Sequence, residues 1–465
     1  MDPDPDNRAT IPKADHLCVL VHGLWGNPSH MGSIASALRK RYDEKQLHIL
    51  VAECNTGNLT YDGIEVCGER LAHEIEATLS KLEADGYKMR KLSVVGYSLG
   101  GLISRYAIGL LYARGWLDDD KLEPVNFTTF ASPHLGARAP VRGVQNLLFN
   151  GLGSRTISTS GKQMFLADTF QDTGKPLLSA LADPNSIFIE GLKRFKNRCV
   201  YGNVVNDRTT AFYTTIFASE DHFRDLEDKT INYVKGYEPV VIDPDVYTLP
   251  ASEDKKRHPF PLRAWQSIRT FFSKLPFWLF FCLILLIAIP VFLVYSVRET
   301  FRSRERIREH EEGPGKSFRS YRMPLGLRRI QTAMDEVFEN AAARQDPDYI
   351  SPNVPITDLE SQTASRNGKT GAAEDSPAAA SSGNSTDDAN KVKKVRCGEN
   401  RPTIALTPDQ FSMIKSLNAV GFRKYPVYIH NHEHTHAAIV VRMDDPGYAE
   451  GHTVIKHWLD QEFDL

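Results

Sequence analysis

The chain has 465 residues, 41% of them hydrophobic and 25% charged, which is the balance of an ordinary globular protein large enough to bury a sizeable core. A formal net charge of -2 removes any global reason to expect nucleic-acid binding. The six cysteines (Cys18, Cys54, Cys67, Cys199, Cys282 and Cys397) form no CxxC pair, which argues against a zinc ribbon or a thioredoxin-like site and for reduced thiols.

In chain order, residues 1–14 are rich in Asp and Pro and lack the basic start and apolar run of a secretory signal, so they read as a tail. Leu17–Val21, His48–Ala52, Leu92–Val95 and Asn126–Phe130 are short, apolar and β-branched or aromatic, as strands buried on both faces must be. Between them, Ser29–Arg41, Gly63–Ala84 and Leu99–Arg114 carry apolar residues at three- and four-residue spacing and read as helices. Strands alternating with helices predict an α/β fold with a mostly parallel sheet. A fifth strand follows at Cys199–Val205, and the mixed stretch 137–197 is a candidate cap or lid.

From 221 the character changes. Residues 221–357 read as an insertion containing Pro276–Val297, an uncharged run long enough to cross a hydrocarbon layer of about 30 Å as a helix. Residues 358–400 form a low-complexity segment too poor in apolar surface to offset its ordering entropy, and are expected to be disordered. Order returns at 401–465, with helices at Thr407–Asn418 and Gly451–Phe463 and a strand at Tyr425–Ile429, so that 15–220 and 401–465 together make the catalytic domain.

The chemistry is carried by Gly96-Tyr97-Ser98-Leu99-Gly100-Gly101, placed directly after a strand and before a helix. A nucleophile held on a sharp strand-to-helix turn needs glycines around it so that neighbouring backbone passes without a Cβ clash, and the helix start offers the Leu99 N–H to an oxyanion. The loop His22-Gly23-Leu24-Trp25-Gly26 after the first strand supplies the Leu24 N–H as a second donor. Serine needs an imidazole base oriented by a carboxylate. Asp207, just past the fifth strand, is the expected acid, ahead of Asp221, and His436 is the expected base from the group His430, His432, His434 and His436, because it opens an apolar segment whereas the others sit in a polar loop. Alternating histidines also raise a metal site, but nothing nearby completes a closed ligand set.

Asp207 precedes the uncharged run and His436 follows it, yet both must reach Ser98 from one side of a lipid layer. A single clean crossing would separate them. The reading is therefore a monotopic insertion bent at Pro290, with Trp265, Phe271, Phe272 and Trp278 at the interface. Basic residues on both flanks (Lys255, Lys256, Arg257, Arg263 and Arg269 before; Arg298, Arg302, Arg304, Arg306 and Arg308 after) suit two ends resting on one anionic cytosolic surface. The stretch from Arg302 also reads as a solvated helical face.

His22–Gly26, Gly96–Gly101, Ala131-Ser132-Pro133-His134-Leu135-Gly136, the Asn206-Asp207 step and His436-Ala437-Ala438-Ile439, taken in order, resemble the eukaryotic putative serine esterase and lipase family that includes a fungal lipid-droplet phospholipase. The resemblance covers about Asp15–Arg208 and Arg401 to the C-terminus. It implies an α/β-hydrolase fold and hydrolysis of acyl-ester lipids such as glycerophospholipids, without a metal or organic cofactor. It also implies action at a lipid droplet or endoplasmic-reticulum membrane, with the catalytic domain facing the cytosol. Acyl transfer, thioester cleavage, or a membrane tether with a retired site are the competing readings.

Overall fold

The computed structural model describes residues 13–138, 158–207, 210–223, 229–250, 298–310 and 403–465. The tail up to 12, the middle of the candidate cap at 139–157, the uncharged run 276–297 with its aromatics and preceding basic flank, and the low-complexity segment 358–400 lie outside the described residues. Among the described residues no helix is long and apolar enough to cross a membrane.

Six strands make one sheet: β1 (His16–Val21), β2 (His48–Val51), β3 (Lys91–Tyr97), β4 (Glu123–Phe130), β5 (Asn197–Asn203) and, after a small hairpin of β6 (Lys229–Ile231) and β7 (Thr248–Pro250), β8 (Arg423–Val427). The order is β2-β1-β3-β4-β5-β8 and every pairing within it is parallel. Alternation along the strands sends side chains to opposite faces. Leu17, Val19, Leu92, Val94 and Phe127 pack on one side against α2 (Ile64–Ala84), α3 (Leu99–Ala113), α6 (Ile187–Lys193) and α9 (Pro408–Val420). Cys18, Leu20, Val95, Phe130 and Tyr201 pack on the other, against Ile34 and Leu38 of α1 (Gly32–Arg41) and Ile455 and Trp458 of α11 (Ala449–Gln461). Two cores back to back on one sheet give three layers, and the α/β-hydrolase expectation holds.

Where the structure differs from the sequence reading, the cause is tertiary. Of the candidate cap, 158–193 forms α4 (Thr159–Met164), α5 (Leu177–Leu181) and α6, and α6 packs on α3, where a Cβ on Gly109 would meet the Phe188 ring at 2.3 Å. This part belongs to the crossover that parallel strands β4 and β5 require. The boundary placed at 220 is also too early. Val240, Val241 and Ile242 are buried, Ile242 N–H donates to Pro426 O and Tyr428 N–H to Val240 O, so 229–250 shields the open edge beyond β8. Further along the expected insertion, residues 298–310 form helix α8, which also packs on the catalytic body.

Candidate active site

The site sits at the C-terminal ends of β1, β3, β4, β5 and β8, where an open parallel sheet places its ligands. Ser98 lies between β3 and α3 with φ 55° and ψ −128°, a strained conformation for a residue with a side chain, fixed by its amide donating to Phe130 O at 2.9 Å. The glycines around it answer to contacts. A Cβ on Gly96 would lie 2.5 Å from Gly101 Cα, and one on Gly100 would lie 2.3 Å from Val21 O, so strand, turn and helix close on each other only without side chains there. Ser98 is 7% exposed, enough for a substrate atom to reach its hydroxyl.

His436 is the second residue of α10 (Thr435–Ala438), and the apolar segment that it opens, Ala437–Val440, is fully buried. Its Nε2 is 3.0 Å from Ser98 Oγ and its Nδ1 is 3.1 Å from Asp207 Oδ2. A carboxylate only accepts, so Nδ1 carries the proton, leaving Nε2 as the acceptor for the serine hydroxyl. Burial would raise the Asp207 carboxyl, but the facing His436 and the donated bonds outweigh it and hold the group below the usual carboxylate range. Those bonds come from His436, from Thr210 N–H to Oδ1 at 2.7 Å and from Asn203 Nδ2 to Oδ2 at 2.9 Å.

Thr210, Asn203 and Tyr97 escaped the sequence reading. Thr210 Oγ lies 3.2 Å from His436 Nδ1, 3.2 Å from Asp207 Oδ2 and 3.1 Å from Ala131 O, bridging base and acid. Tyr97, the residue before the nucleophile, donates its hydroxyl to His436 O at 3.0 Å and packs its ring 5.2 Å from the imidazole. The helix that follows at once, α7 (Phe212–Thr215), starts after Ala211 without a side-chain cap, so no local pattern pointed to Thr210.

The alternatives are taken up elsewhere. Asp221 is buried and accepts the Phe223 N–H at 2.9 Å, whereas Asp207 is the carboxylate that meets His436. His430 lies against Glu450 at 3.2 Å, and His432 Nδ1 accepts the His434 N–H at 2.9 Å. Among the described residues no group of three or more His, Cys, Asp or Glu is arranged to hold a metal ion. His134, conspicuous in its motif, is buried with Nε2 on Thr129 Oγ at 2.9 Å, and burial keeps it neutral.

The loop after β1 passes directly over the nucleophile, because a Cβ on Gly23 would stand 2.7 Å from Ser98 Cβ. Buried His22 is held down to about 4 by burial and so is neutral, its Nδ1–H donating to Gly23 O at 3.0 Å. Trp25, with φ 52°, donates its amide to Thr60 Oγ at 3.0 Å, which anchors the loop one residue after Leu24. Leu99 is the first residue of α3, where an amide has no intrahelical acceptor. Leu99 follows Ser98 directly in the chain, and the loop that carries Leu24 passes over it at Gly23.

Residues 12–221 match the family model described as Putative serine esterase (DUF676). Over that stretch, a little under half of the chain, it is similar to the members of that family. It is 35% identical to Putative lipase ROG1 of Saccharomyces cerevisiae over 230 residues, 48% of this chain and 31% of that protein. It is 32% identical to Putative lipase YDL109C of the same yeast over 216 residues, 46% and 32% of the two chains, and 28% identical to Putative lipase C4A8.10 of Schizosaccharomyces pombe over 225 residues, 45% and 28%. The chain spans about a third of the length of these curated relatives. Among solved structures, phospholipase PlaB from Legionella pneumophila in complex with thio-NAD aligns over 44% of this chain and 42% of its own at 12% identity and a TM-score of 0.28. A lipase-esterase related protein from Clostridium acetobutylicum aligns over 39% and 71% at 15% identity and a TM-score of 0.21. The DUF676 match ends at 221, so Ser98 and Asp207 fall inside it while His436 comes from outside.

Proposed function

We propose that this protein is a serine hydrolase that cleaves lipid acyl esters, glycerophospholipids foremost, through an acyl-Ser98 intermediate. The observation that carries the reading is the hydrogen-bonded line from Ser98 Oγ to His436 Nε2 and from His436 Nδ1 to Asp207, built from three separate strand ends. Ser98 Oγ attacks the ester carbonyl carbon as His436 Nε2 takes its proton, and the carbonyl oxygen becomes an oxyanion facing the Leu24 and Leu99 amides. Collapse expels the alcohol, protonated by His436, and leaves the acyl-enzyme. Water then enters, gives its proton to the same Nε2 and releases the fatty acid, while Asp207 stays ionised and stabilises the imidazolium throughout.

The lipid substrate is supported by the lipase relatives and by the uncharged run 276–297 with basic residues on both sides, which suit a lipid droplet or endoplasmic-reticulum surface on its cytosolic side. The proposal about site and surface is separable by experiment. A fluorophosphonate probe should label the purified protein and fail on Ser98→Ala; no labelling of either form would favour a membrane tether with a retired site. Product analysis on phospholipid, triacylglycerol and thioester substrates, with and without an acceptor alcohol, then separates hydrolysis from acyl transfer and thioester cleavage.

A further inference from the structure

The 3-10 turn Gly57–Tyr61 is gripped from two directions. On one side it holds the loop over the nucleophile: Thr60 Oγ accepts the Trp25 amide at 3.0 Å, Gly57 N–H donates to Gly26 O at 2.8 Å, and the Tyr61 and Trp25 rings meet edge to face at 5.8 Å. On the other side it is held by α8, which is remote in sequence. Arg306 donates Nε and Nη2 to the buried Asp62 carboxylate at 2.8–3.1 Å, Nη2 also reaches Asn58 O at 3.3 Å, and Nη1 pairs with Glu299 at 2.9 Å. Ser303 Oγ adds a bond to Asp62 at 2.7 Å, and His310 meets Glu69 of α2 at 2.7 Å. Arg306 was expected among the residues resting on lipid head groups. It turns inward instead, whereas Arg302 and Arg304 on the same helix are exposed.

We propose that α8 is a strap that positions the oxyanion loop, with Arg306 as its positioning residue. A guanidinium that forks onto one carboxylate and also bonds the turn's backbone fixes orientation as well as distance. The Leu24 amide donates only as well as the turn beneath it is held, and a donor displaced by a fraction of an ångström loses its preference for the transition state. The uncharged run ends at Val297, immediately before the described part of α8, so an attachment of that run to lipid would act on the strap. The inference rests on the serine-hydrolase reading for its kinetic consequence but not for its structural one.

The test uses the full chain. Arg306→Ala leaves Asp62 paired with Arg70 at 2.8 Å, so the carboxylate is not stranded. On a water-soluble short-chain ester, kcat should fall about 10-fold or more, part of the two to three orders of magnitude that one donor is worth, with KM within about twofold. The acid limb of the pH profile should not move, because His436 and Asp207 are untouched, and Arg302→Ala on the exposed side should behave as the parent. Hydrogen exchange supplies the second readout: amides of 24–26 and 57–62 should exchange faster in Arg306→Ala with the sheet unchanged. Unchanged exchange at both stretches, or an unchanged kcat, overturns the strap. Should Arg306→Ala fail to fold, Arg306→Lys, which keeps the charge but not the fork, is read by the same two measurements. A parent protein that fluorophosphonate does not label would sink the serine-hydrolase reading alone, and exchange would still decide the strap.

Discussion

Asp207→Asn replaces the one group in the site that must accept from every direction. Oδ1 accepts the Thr210 amide at 2.7 Å, and Oδ2 accepts both His436 Nδ1–H at 3.1 Å and Asn203 Nδ2–H at 2.9 Å. An asparagine offers one oxygen and one NH2. With the NH2 toward Thr210, a backbone donor that cannot adapt is left unsatisfied, at a cost of about 1–3 kcal/mol. With the NH2 toward His436, the conflict is relieved by the ring itself, which moves its proton to Nε2, and the Asn203 amide can turn its buried and unpartnered Oδ1 inward. The second arrangement therefore wins. It points an N–H at Ser98 and leaves the serine without a base. The expected loss in kcat is about four orders of magnitude, as for the same change in serine-protease triads, with stability lowered by no more than about 3 kcal/mol. Initial rates on a soluble short-chain ester, with a thermal melt beside them, measure both. A folded Asp207→Asn protein keeping more than about a tenth of the parent kcat would refute the tautomer argument, and Asp221, the competing acid, would have to be reconsidered.

Thr210→Val keeps the backbone donor to Asp207 but removes the hydroxyl between acid and base; kcat should fall about 10-fold, the worth of one buried hydrogen bond to a charged group, and Thr210→Ser should restore most of it. Ser98→Gly abolishes turnover yet relieves the positive φ, so it should melt above Ser98→Ala by a few degrees, corresponding to about 1 kcal/mol. Acid should weaken the fold well above the carboxylate range. Burial holds His16, His22 and His457 near 4, below the ordinary 6.5, so between those values the unfolded chain binds protons that the folded one refuses. Stability then falls as pH drops through that window, by up to about 1.4 kcal/mol per pH unit for each imidazole. Denaturant midpoints collected across the window check it, and a flat profile would count against the neutral buried rings.

The parts legible in the sequence were those written in local patterns. Six strands and the long helices could be read because burial on both faces or on one stripe leaves periodicity in the chain. Ser98 could be read because the strained turn demands glycine at 96 and 100, whose absent Cβ atoms the backbone now occupies. Asp207 followed from its position after a strand, and His436 from opening an apolar segment beyond a polar loop. Strand limits shifted, β8 starting at Arg423 and not Tyr425, because pairing with β5 and not side-chain character decides where a strand begins. Thr210 and Asn203 gave little signal, since a neutral polar side chain acquires its role only from the carboxylate it meets. Arg306 was misread for a related reason: a basic helix beside an uncharged run looks alike whether its arginines face solvent or a buried Asp62.

The pairing of β5 with β8 has a wider bearing. Asn203 and Val427 stand side by side in the sheet although a large share of the chain intervenes between them. Whatever that intervening stretch contains, its two ends are pinned by the same ladder of backbone bonds, and the entropy of closing such a connection grows only as the logarithm of its length, about 0.6 kcal/mol for each doubling. Such a connection can lengthen, shorten or be exchanged at small entropic cost while the frame that holds Ser98, Asp207 and His436 stays as it is.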